Sequence, residues 1–252
     1  MLIMLEYFAG DWKGAPFVLF GPPHLIGMAI ILLINLYIVF GWKNPSPRAK
    51  RIFRHTLATI LVVNETLWHW WNWYIGVWSV QSTLPLHICS ILVWVIAATL
   101  YTGNYKLYDF IYLLGIGAGM QALLTPDSGI YGFPHFRFFQ PLVSHGAIVT
   151  GAVYLTAIEK LRPTWKSLAT VALGTNVYMV CIFVLNLALG SNYLFIAHKP
   201  ETASLIDVLP DWPWYIAFLE LIGAAVCLLL YAPFAVQDWR KKRSGFSAKS
   251  GR

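Results

Sequence analysis

Charged residues are scarce in this sequence. Asp, Glu, Lys and Arg together make up 12% of its 252 residues, whereas hydrophobic residues make up 58% and the mean hydropathy is +0.61. A soluble domain carries about twice that share of charge. The composition therefore excludes an ordinary soluble protein and predicts an all-α, polytopic membrane protein.

Cysteine is scarce as well, and so are the signs of a cleaved leader. Cys89, Cys181 and Cys227 all lie within apolar runs, so we expect no disulfide framework. The first residues contain Glu6 and no basic stretch, which argues against a signal peptide. We expect residues 1–16 to form an extracytoplasmic segment at the membrane surface.

Long apolar runs fill the remainder of the chain. Because a hydrocarbon core of about 30 Å requires about 20 apolar residues per helix, each such run is a candidate membrane span. We predict a seven-helix transmembrane domain over residues 17–234 and a basic cytoplasmic tail over 235–252. The runs are 17–41, 56–78, 84–102, 107–124, 141–159, 167–190 and 212–234.

The excess of positive charge predicts the topology. Of the 18 basic residues, 15 lie in segments 43–55, 103–106, 160–166 and 235–252, which are alternate connections and therefore share one side. The positive-inside rule places that side in the cytoplasm and the N-terminus outside. Topology thus accounts for the net charge of +7, and we expect no nucleic acid partner.

Residues 125–146, which connect two apolar runs and begin the second of them, contain ionisable groups mixed with aromatic rings. Arg137 stands among four phenylalanines, and His135 and His145 flank it. Such a mixture is typical of a place where a membrane protein meets a lipid headgroup. Arg137 and Lys199, which lies in a second extracytoplasmic loop, are the kind of residues that attract a phosphate group.

The second apolar run carries polar groups inside the predicted span. Glu65, His69 and Asn72 recur at helical spacing and share one face. A carboxyl group at that depth must be protonated or must meet a positive partner. A Glu–His pair that only fixes helix packing is the structural alternative. In the third helix, we expect His87 and Ser90 to share a face and Cys89 to lie on another, unless the first turn is unwound after Pro85.

Several strings of the sequence resemble a known family. LPLHICS, MQALLTPD, YGFPHFRFFQ and GSNYLFIAHKPETASLIDVL are similar to segments of the bacterial YwaF-type integral membrane proteins. That family is distantly similar to transmembrane protein 164, a eukaryotic acyltransferase that moves fatty acyl groups onto ether phospholipids. The androgen-induced-gene hydrolases, which act on fatty acid esters, are more distant still.

The resemblance implies acyl transfer or hydrolysis on a lipid ester in the outer leaflet of a bacterial plasma membrane. It makes Cys89 the nucleophile and His145 the general base. Gln140 or His135 would donate to the oxyanion, and Arg137 and Lys199 would hold a phosphate. We expect membrane lipids as partners, a lipid ester or phospholipid as substrate, and no cofactor or metal. The other residues assigned to the substrate site are Glu65, His69 and His87.

A transporter or ligand-binding membrane protein is a second hypothesis. Glu65, Glu220, Asn176 and Asn186 would then form a polar path towards mid-membrane. The ionisable groups are concentrated in the outer half, which favours an interfacial site over a continuous path.

A metal-dependent membrane hydrolase is a third hypothesis. His24, His87 and His145 are predicted at a similar depth, where three imidazoles and a water would form a catalytic zinc site, with Glu65 and His69 close by. The sequence contains no HExxH or HxxxH pair to support it.

Overall fold

The computed structural model describes residues 6–200 and 205–249. Within these ranges the chain forms seven long helices and no strand, which confirms the predicted all-helical fold. Residues 1–5 of the expected surface segment and 250–252 of the expected tail lie outside the described residues. The helices are α1 (Pro22–Leu36, continued by a π-helical turn, Tyr37–Gly41), α2 (Pro47–Tyr74), α3 (Ile88–Thr102), α4 (Tyr108–Leu124), α5 (Phe136–Ala157), α6 (Trp165–Leu189) and α7 (Trp214–Lys249).

Four of the described helices are long and apolar enough to cross a membrane. They are α1 with its π-helical turn, α5, α6 and the first 28 residues of α7. Helices α3 and α4 are apolar but have only 15 and 17 residues. The chain is therefore a helical membrane protein, while the seven spans and their orientation stay a prediction.

Helix α5 begins earlier than the sequence predicts. The expected start was Pro141, because proline favours the first turn of a helix. Instead His135 caps the helix through its side chain, which accepts a hydrogen bond from Arg137 N, and Pro141 lies inside α5. This start adds one more turn, which carries Arg137 and Gln140.

Helix α3 begins later than predicted, so the alternative of an unwound first turn after Pro85 is the one observed, and His87 and Ser90 do not share a helical face. His87 is the N-cap residue, with extended backbone angles, and the helix starts at Ile88. Pro85 keeps the preceding residues out of the helix. Cys89 and Ser90 therefore lie in the first helical turn, and His87 lies outside it.

Helix α5 occupies the centre of the bundle. Its side chains Ile148, Ala152 and Tyr154 are fully buried. By contrast, α6 and α7 expose large apolar side chains such as Leu173 and Leu229, at 69% and 72%. Such surfaces suit the lipid interior of a membrane, so α6 and α7 lie at the periphery and α5 positions the groups in the core.

Candidate functional site

A cluster of buried and partly buried polar side chains lies where α2, the start of α3 and the start of α5 meet. An apolar bundle shields these groups from water, so each needs a partner within the protein or from a ligand. We call the set the polar cluster; it comprises Glu65, His69, Cys89, Ser90, Arg137, Gln140 and His145.

Glu65 is the one carboxylic acid of the polar cluster. Its side chain is only 3% exposed, and the Ser90 side chain on α3 is close enough to interact with it. The carboxyl oxygen Oε1 has no hydrogen-bond partner among the described residues. A buried carboxyl oxygen without a hydrogen-bond donor lowers the stability of the fold, so a donor from a ligand would stabilise this position.

His69 faces the unpartnered oxygen of Glu65. Its Nε2 lies 3.9 Å from Glu65 Oε1, so the pair predicted at i, i+4 is formed, but beyond hydrogen-bond distance. Trp78 donates its indole N–H to His69 Nδ1 at 3.3 Å, so the neutral imidazole carries its hydrogen on Nε2. The N–H of His69 therefore points towards the carboxyl group.

Cys89 lies in the first turn of α3 and interacts electrostatically with Glu65. The thiol is packed against the main hydrophobic core. The N-terminus of a helix stabilises a thiolate through its dipole, whereas the neighbouring carboxylate opposes one. Protonation of Glu65 would remove that opposition.

The direct contacts of Arg137 are to neutral groups, while the Asp127 carboxylate interacts with it electrostatically. Its guanidinium donates to Gln140 Oε1 and to the backbone oxygen of Asp127, both at 2.7 Å, and lies 4.2 Å from the ring centre of Trp68. It forms no ion pair within the described part of the chain. A guanidinium fork held in place without a direct ion pair is suited to binding a carboxylate or phosphate.

The contact with Arg137 fixes the orientation of Gln140. Because a guanidinium only donates, the atom that faces it must be the amide oxygen. The NH₂ group of Gln140, a side chain that is 7% exposed, then has no hydrogen-bond partner in residues 6–200 and 205–249. That group is available to donate to an oxyanion.

His145 lies two turns further along α5. It donates its Nδ1–H to the carbonyl of Pro141 at 2.8 Å. A neutral imidazole with hydrogen on Nδ1 has its lone pair on Nε2. His145 is therefore held in the tautomer that accepts a proton at Nε2.

The structure joins the two halves of the polar cluster through α2. Asn64 donates to the backbone oxygen of Gln140 at 3.2 Å, and Trp68 stacks on Arg137. No hydrogen bond connects Cys89 to His145 within the described residues; Cys89 interacts electrostatically with Glu65, and the His145 imidazole donates to Pro141 O.

Two predicted substrate residues, Lys199 and His87, are engaged by loop residues outside the polar cluster. Lys199 donates to Leu209 O at 2.8 Å and pairs with Asp211 at 3.6 Å. His87 accepts from Leu194 N at 3.4 Å and packs on the ring of Tyr193. Burial lowers the pKa of His87. Both residues are thus held by the loop that follows α6, rather than by the polar cluster.

His135 has a partner on each ring nitrogen. It accepts from Arg137 N and donates to the carbonyl of Ala9, both at 3.1 Å. Burial lowers its pKa, and the Arg137 charge lowers it further against the opposing effect of the Ala9 bond. Of the two residues predicted to serve an oxyanion, only Gln140 has an uncommitted donor.

The three histidines of the metal hypothesis do not converge. His24 donates to Leu123 O at 2.9 Å, while His87 and His145 have the separate partners given above. No group of three His, Cys, Asp or Glu side chains in the described ranges is arranged to hold a metal ion.

The polar groups of the transport hypothesis are also separated. Glu220 accepts from Asn176 at 3.1 Å between α6 and α7, and Asn186 of α6 donates to Tyr193 O in the loop that follows, at 2.9 Å. Glu65 interacts with Ser90 in the bundle interior.

Sequence reasoning missed Trp68 and the N-terminal segment. Trp68 is not among the predicted site residues, although its position one turn after Glu65 places it near the polar face. The backbone carbonyls of Tyr7, Phe8 and Ala9 accept hydrogen bonds from Phe136 N, Trp71 Nε1 and His135 Nε2. The N-terminal segment therefore covers the start of α5.

An apolar groove passes beside the polar cluster. It has a volume of about 680 Å³ and is lined by α1, α2 and α5, with Phe133, Phe138 and Phe139 at the end where α5 begins. Arg137 is the sequence neighbour of Phe138. An aliphatic chain in this groove would thus have a cation near one end.

A family model described as the TMEM164 family matches residues 19–231. The matched range contains α1 to α6, the first half of α7 and all of the polar cluster. No curated protein and no solved structure matches the chain.

Proposed function

The chain belongs to the TMEM164 family, and from this membership we propose that it is a membrane enzyme that transfers or hydrolyses the acyl group of a lipid ester. The observation that carries the proposal is His145, whose Nδ1–H is tied to Pro141 and whose Nε2 lone pair is ready to take a proton. A general base needs this tautomer. Cys89 supplies a nucleophile on the neighbouring helix.

The substrate lies across the polar cluster. The phosphate of a phospholipid pairs with Arg137, and an acyl chain enters the groove past Phe138 and Phe139. The NH₂ group of Gln140 donates to the ester carbonyl oxygen. Binding of the lipid brings Cys89 and His145 into hydrogen-bond contact, as catalytic pairs commonly tighten only in the substrate complex.

The reaction then proceeds in two steps. The Cys89 thiol gives its proton to His145 Nε2 and its sulfur attacks the ester carbonyl carbon. The C–O bond to the glycerol breaks, and the departing oxygen takes the proton from His145, leaving a thioester on Cys89. An acceptor hydroxyl, or water in hydrolysis, attacks the thioester and gives its proton to His145, which returns it to the sulfur.

The proposed topology follows the charge distribution. All seven helices of residues 17–234 cross a bacterial plasma membrane, residues 1–16 lie outside and 235–252 form the cytoplasmic tail. The polar cluster then faces the outer leaflet, since α2 starts at the basic end of the bundle and carries Glu65 and His69 in its second half.

The test compares purified variants in a Cys181→Ala background, which removes an exposed thiol. We expect labelling by an iodoacetamide probe, and release or transfer of isotope-labelled fatty acid from mixed phospholipids measured by mass spectrometry. Cys89→Ala should abolish product and the labelling at position 89, which is measured separately from any labelling of Cys227. His145→Ala should lower product and Cys89 labelling at least a hundredfold, the scale of a lost general base.

The control is Cys227→Ala, in which the thiol removed lies in α7, outside the polar cluster. It should keep full turnover. Product formation that persists in Cys89→Ala would exclude the thioester mechanism. Labelling of Cys89 that does not depend on His145 would exclude His145 as the general base.

A further inference from the structure

A second pocket lies at the end of the bundle opposite to the polar cluster. It has a volume of about 510 Å³ and is formed by the π-helical turn after α1, the start of α2 and the end of α5. Lys43, Lys50 and Lys160 line it, together with Trp42 and Asn44. No acidic side chain is among the described residues of its wall.

Only one of the three lysines is neutralised. Lys50 donates to Ile158 O and pairs with Glu159 Oε2, both at 3.4 Å, which fixes its ammonium group at the pocket. Lys43 and Lys160 are exposed, and neither has a side-chain partner within the described residues. The pocket therefore presents two uncompensated positive charges beside a fixed third one.

The backbone of Lys160 supports a role beyond general positive charge. Its φ is 59°, in the left-handed region, just after the end of α5. Glycine adopts this conformation readily, whereas a residue with a side chain is strained in it. The chain carries a lysine instead, and the side chain lines the pocket. Strain kept at such a place indicates a function for the side chain.

The pocket continues the apolar groove along the same three helices. On α1, Ile34 lines the groove, and Ile38, one turn later, lines the pocket. On α2, Phe53 lines the groove and Lys50 lines the pocket. The groove and the pocket together form one continuous surface along α1, α2 and α5, which we call the seam. Val39 is 48% exposed, so the seam is open at its side. A cationic pocket at the end of an apolar seam matches a molecule with an anionic head and an aliphatic chain.

We propose that this pocket binds the headgroup of one anionic phospholipid, taken from the leaflet at the basic end of the bundle, with an acyl chain along the seam of α1, α2 and α5. Basic pockets between transmembrane helices bind such headgroups. The phosphate lies among Lys43, Lys50 and Lys160. A zwitterionic lipid binds less well, because its own ammonium group meets the lysines.

The test is lipid retention by the full chain in nanodiscs of equal parts phosphatidylglycerol and phosphatidylcholine, followed by native mass spectrometry. The wild type should retain phosphatidylglycerol in preference to phosphatidylcholine. Each lysine near a membrane surface contributes about fivefold to anionic-lipid affinity. The double variant Lys43→Gln/Lys160→Asn should therefore lose roughly 25-fold, since the two contributions multiply.

Two matched variants separate the site from a diffuse charge effect and from misfolding. Lys166→Gln removes an exposed lysine from the first turn of α6 and should leave retention unchanged. Asparagine tolerates a left-handed backbone, so Lys160→Asn should not lower the melting temperature measured without added lipid.

Three outcomes would overturn the proposal: equal retention of the two lipids, an equal loss in Lys166→Gln, or a melting-temperature increase with inorganic phosphate alone that equals the increase with phosphatidylglycerol. The last would assign the pocket to a free anion. Cys89→Ala should retain the lipid as the wild type does, so failure of the proposed reaction and failure of this site are distinguishable.

Discussion

Replacement of Arg137 by glutamine tests whether its guanidinium serves a substrate phosphate. Arg137 makes two hydrogen bonds of 2.7 Å and a stacking contact of 4.2 Å with Trp68, but no ion pair in the described part of the chain. A partly buried cation whose direct contacts are neutral groups has lost hydration that these contacts replace only in part. We therefore expect Arg137→Gln to change the melting temperature little.

The effect on turnover should be much larger. A hydrogen bond to a charged group contributes about 1.5–3 kcal/mol, which corresponds to a decrease of roughly 10- to 150-fold in kcat/KM for a phospholipid. A substrate without phosphate makes no such pair, so kcat/KM for a diacylglycerol should stay within about threefold of the wild type. The kcat/KM of Arg137→Lys for the phospholipid should lie between those of the wild type and Arg137→Gln. Lysine keeps the charge, but it lacks the planar fork that contacts Gln140 and Asp127 together.

The assay measures fatty acid release from both lipids in mixed micelles of one detergent, with the melting temperature of each variant in the same buffer. Gln121→Glu is a suitable control, since Gln121 is an exposed residue at the end of α4. An equal decrease on phospholipid and diacylglycerol would refute the reasoning and make Arg137 a purely structural residue.

Two further predictions concern stability. The pKa of buried His135 lies below its unfolded value of 6.5. The unfolded chain therefore binds more protons, and the protein should lose stability as the pH falls below 6.5. The variant His135→Asn can still cap α5, and its melting temperature should decrease less than that of the wild type between pH 7.5 and 5. A Cβ at Gly151 would lie 2.8 Å from Ile96 Cγ2, whereas one at Gly223 would meet nothing within 4 Å. Gly151→Ala should therefore cost about 1–3 kcal/mol and Gly223→Ala should stabilise its helix by up to about 1 kcal/mol, both measured by denaturant unfolding in micelles; equal effects would contradict the packing of α5 on α3.

Several helix boundaries were predictable because their signals are local. The fourth run, predicted over 107–124, is observed as Tyr108–Leu124, and the sixth, predicted over 167–190, as Trp165–Leu189. In the latter, Thr164 and Ser167 form a reciprocal cap at the start and Gly190 ends the helix with a φ of 63°. Apolar length and capping residues act over a few neighbouring positions, so a single sequence contains them.

The start of α5 was not predicted, because its capping signal is not local. Histidine is not among the usual capping residues, and the proline at 141 was the stronger signal. Yet the His135 side chain accepts from Arg137 N, and its other nitrogen donates to Ala9 O, which stabilises the cap through a contact 126 residues away in the chain. The cap thus depends on tertiary structure.

By itself the sequence determined that the chain is helical and belongs in a membrane, that Glu65 and His69 share a face, and that the basic residues gather at one end. These properties depend on composition and on the 3.6-residue period. Only the tertiary structure decided that Trp68 stacks on Arg137, that Ser90 rather than His87 meets Glu65, and that Lys43 and Lys160 line one pocket. Such pairs are far apart in the chain, and the packing of whole helix faces selects which of them meet.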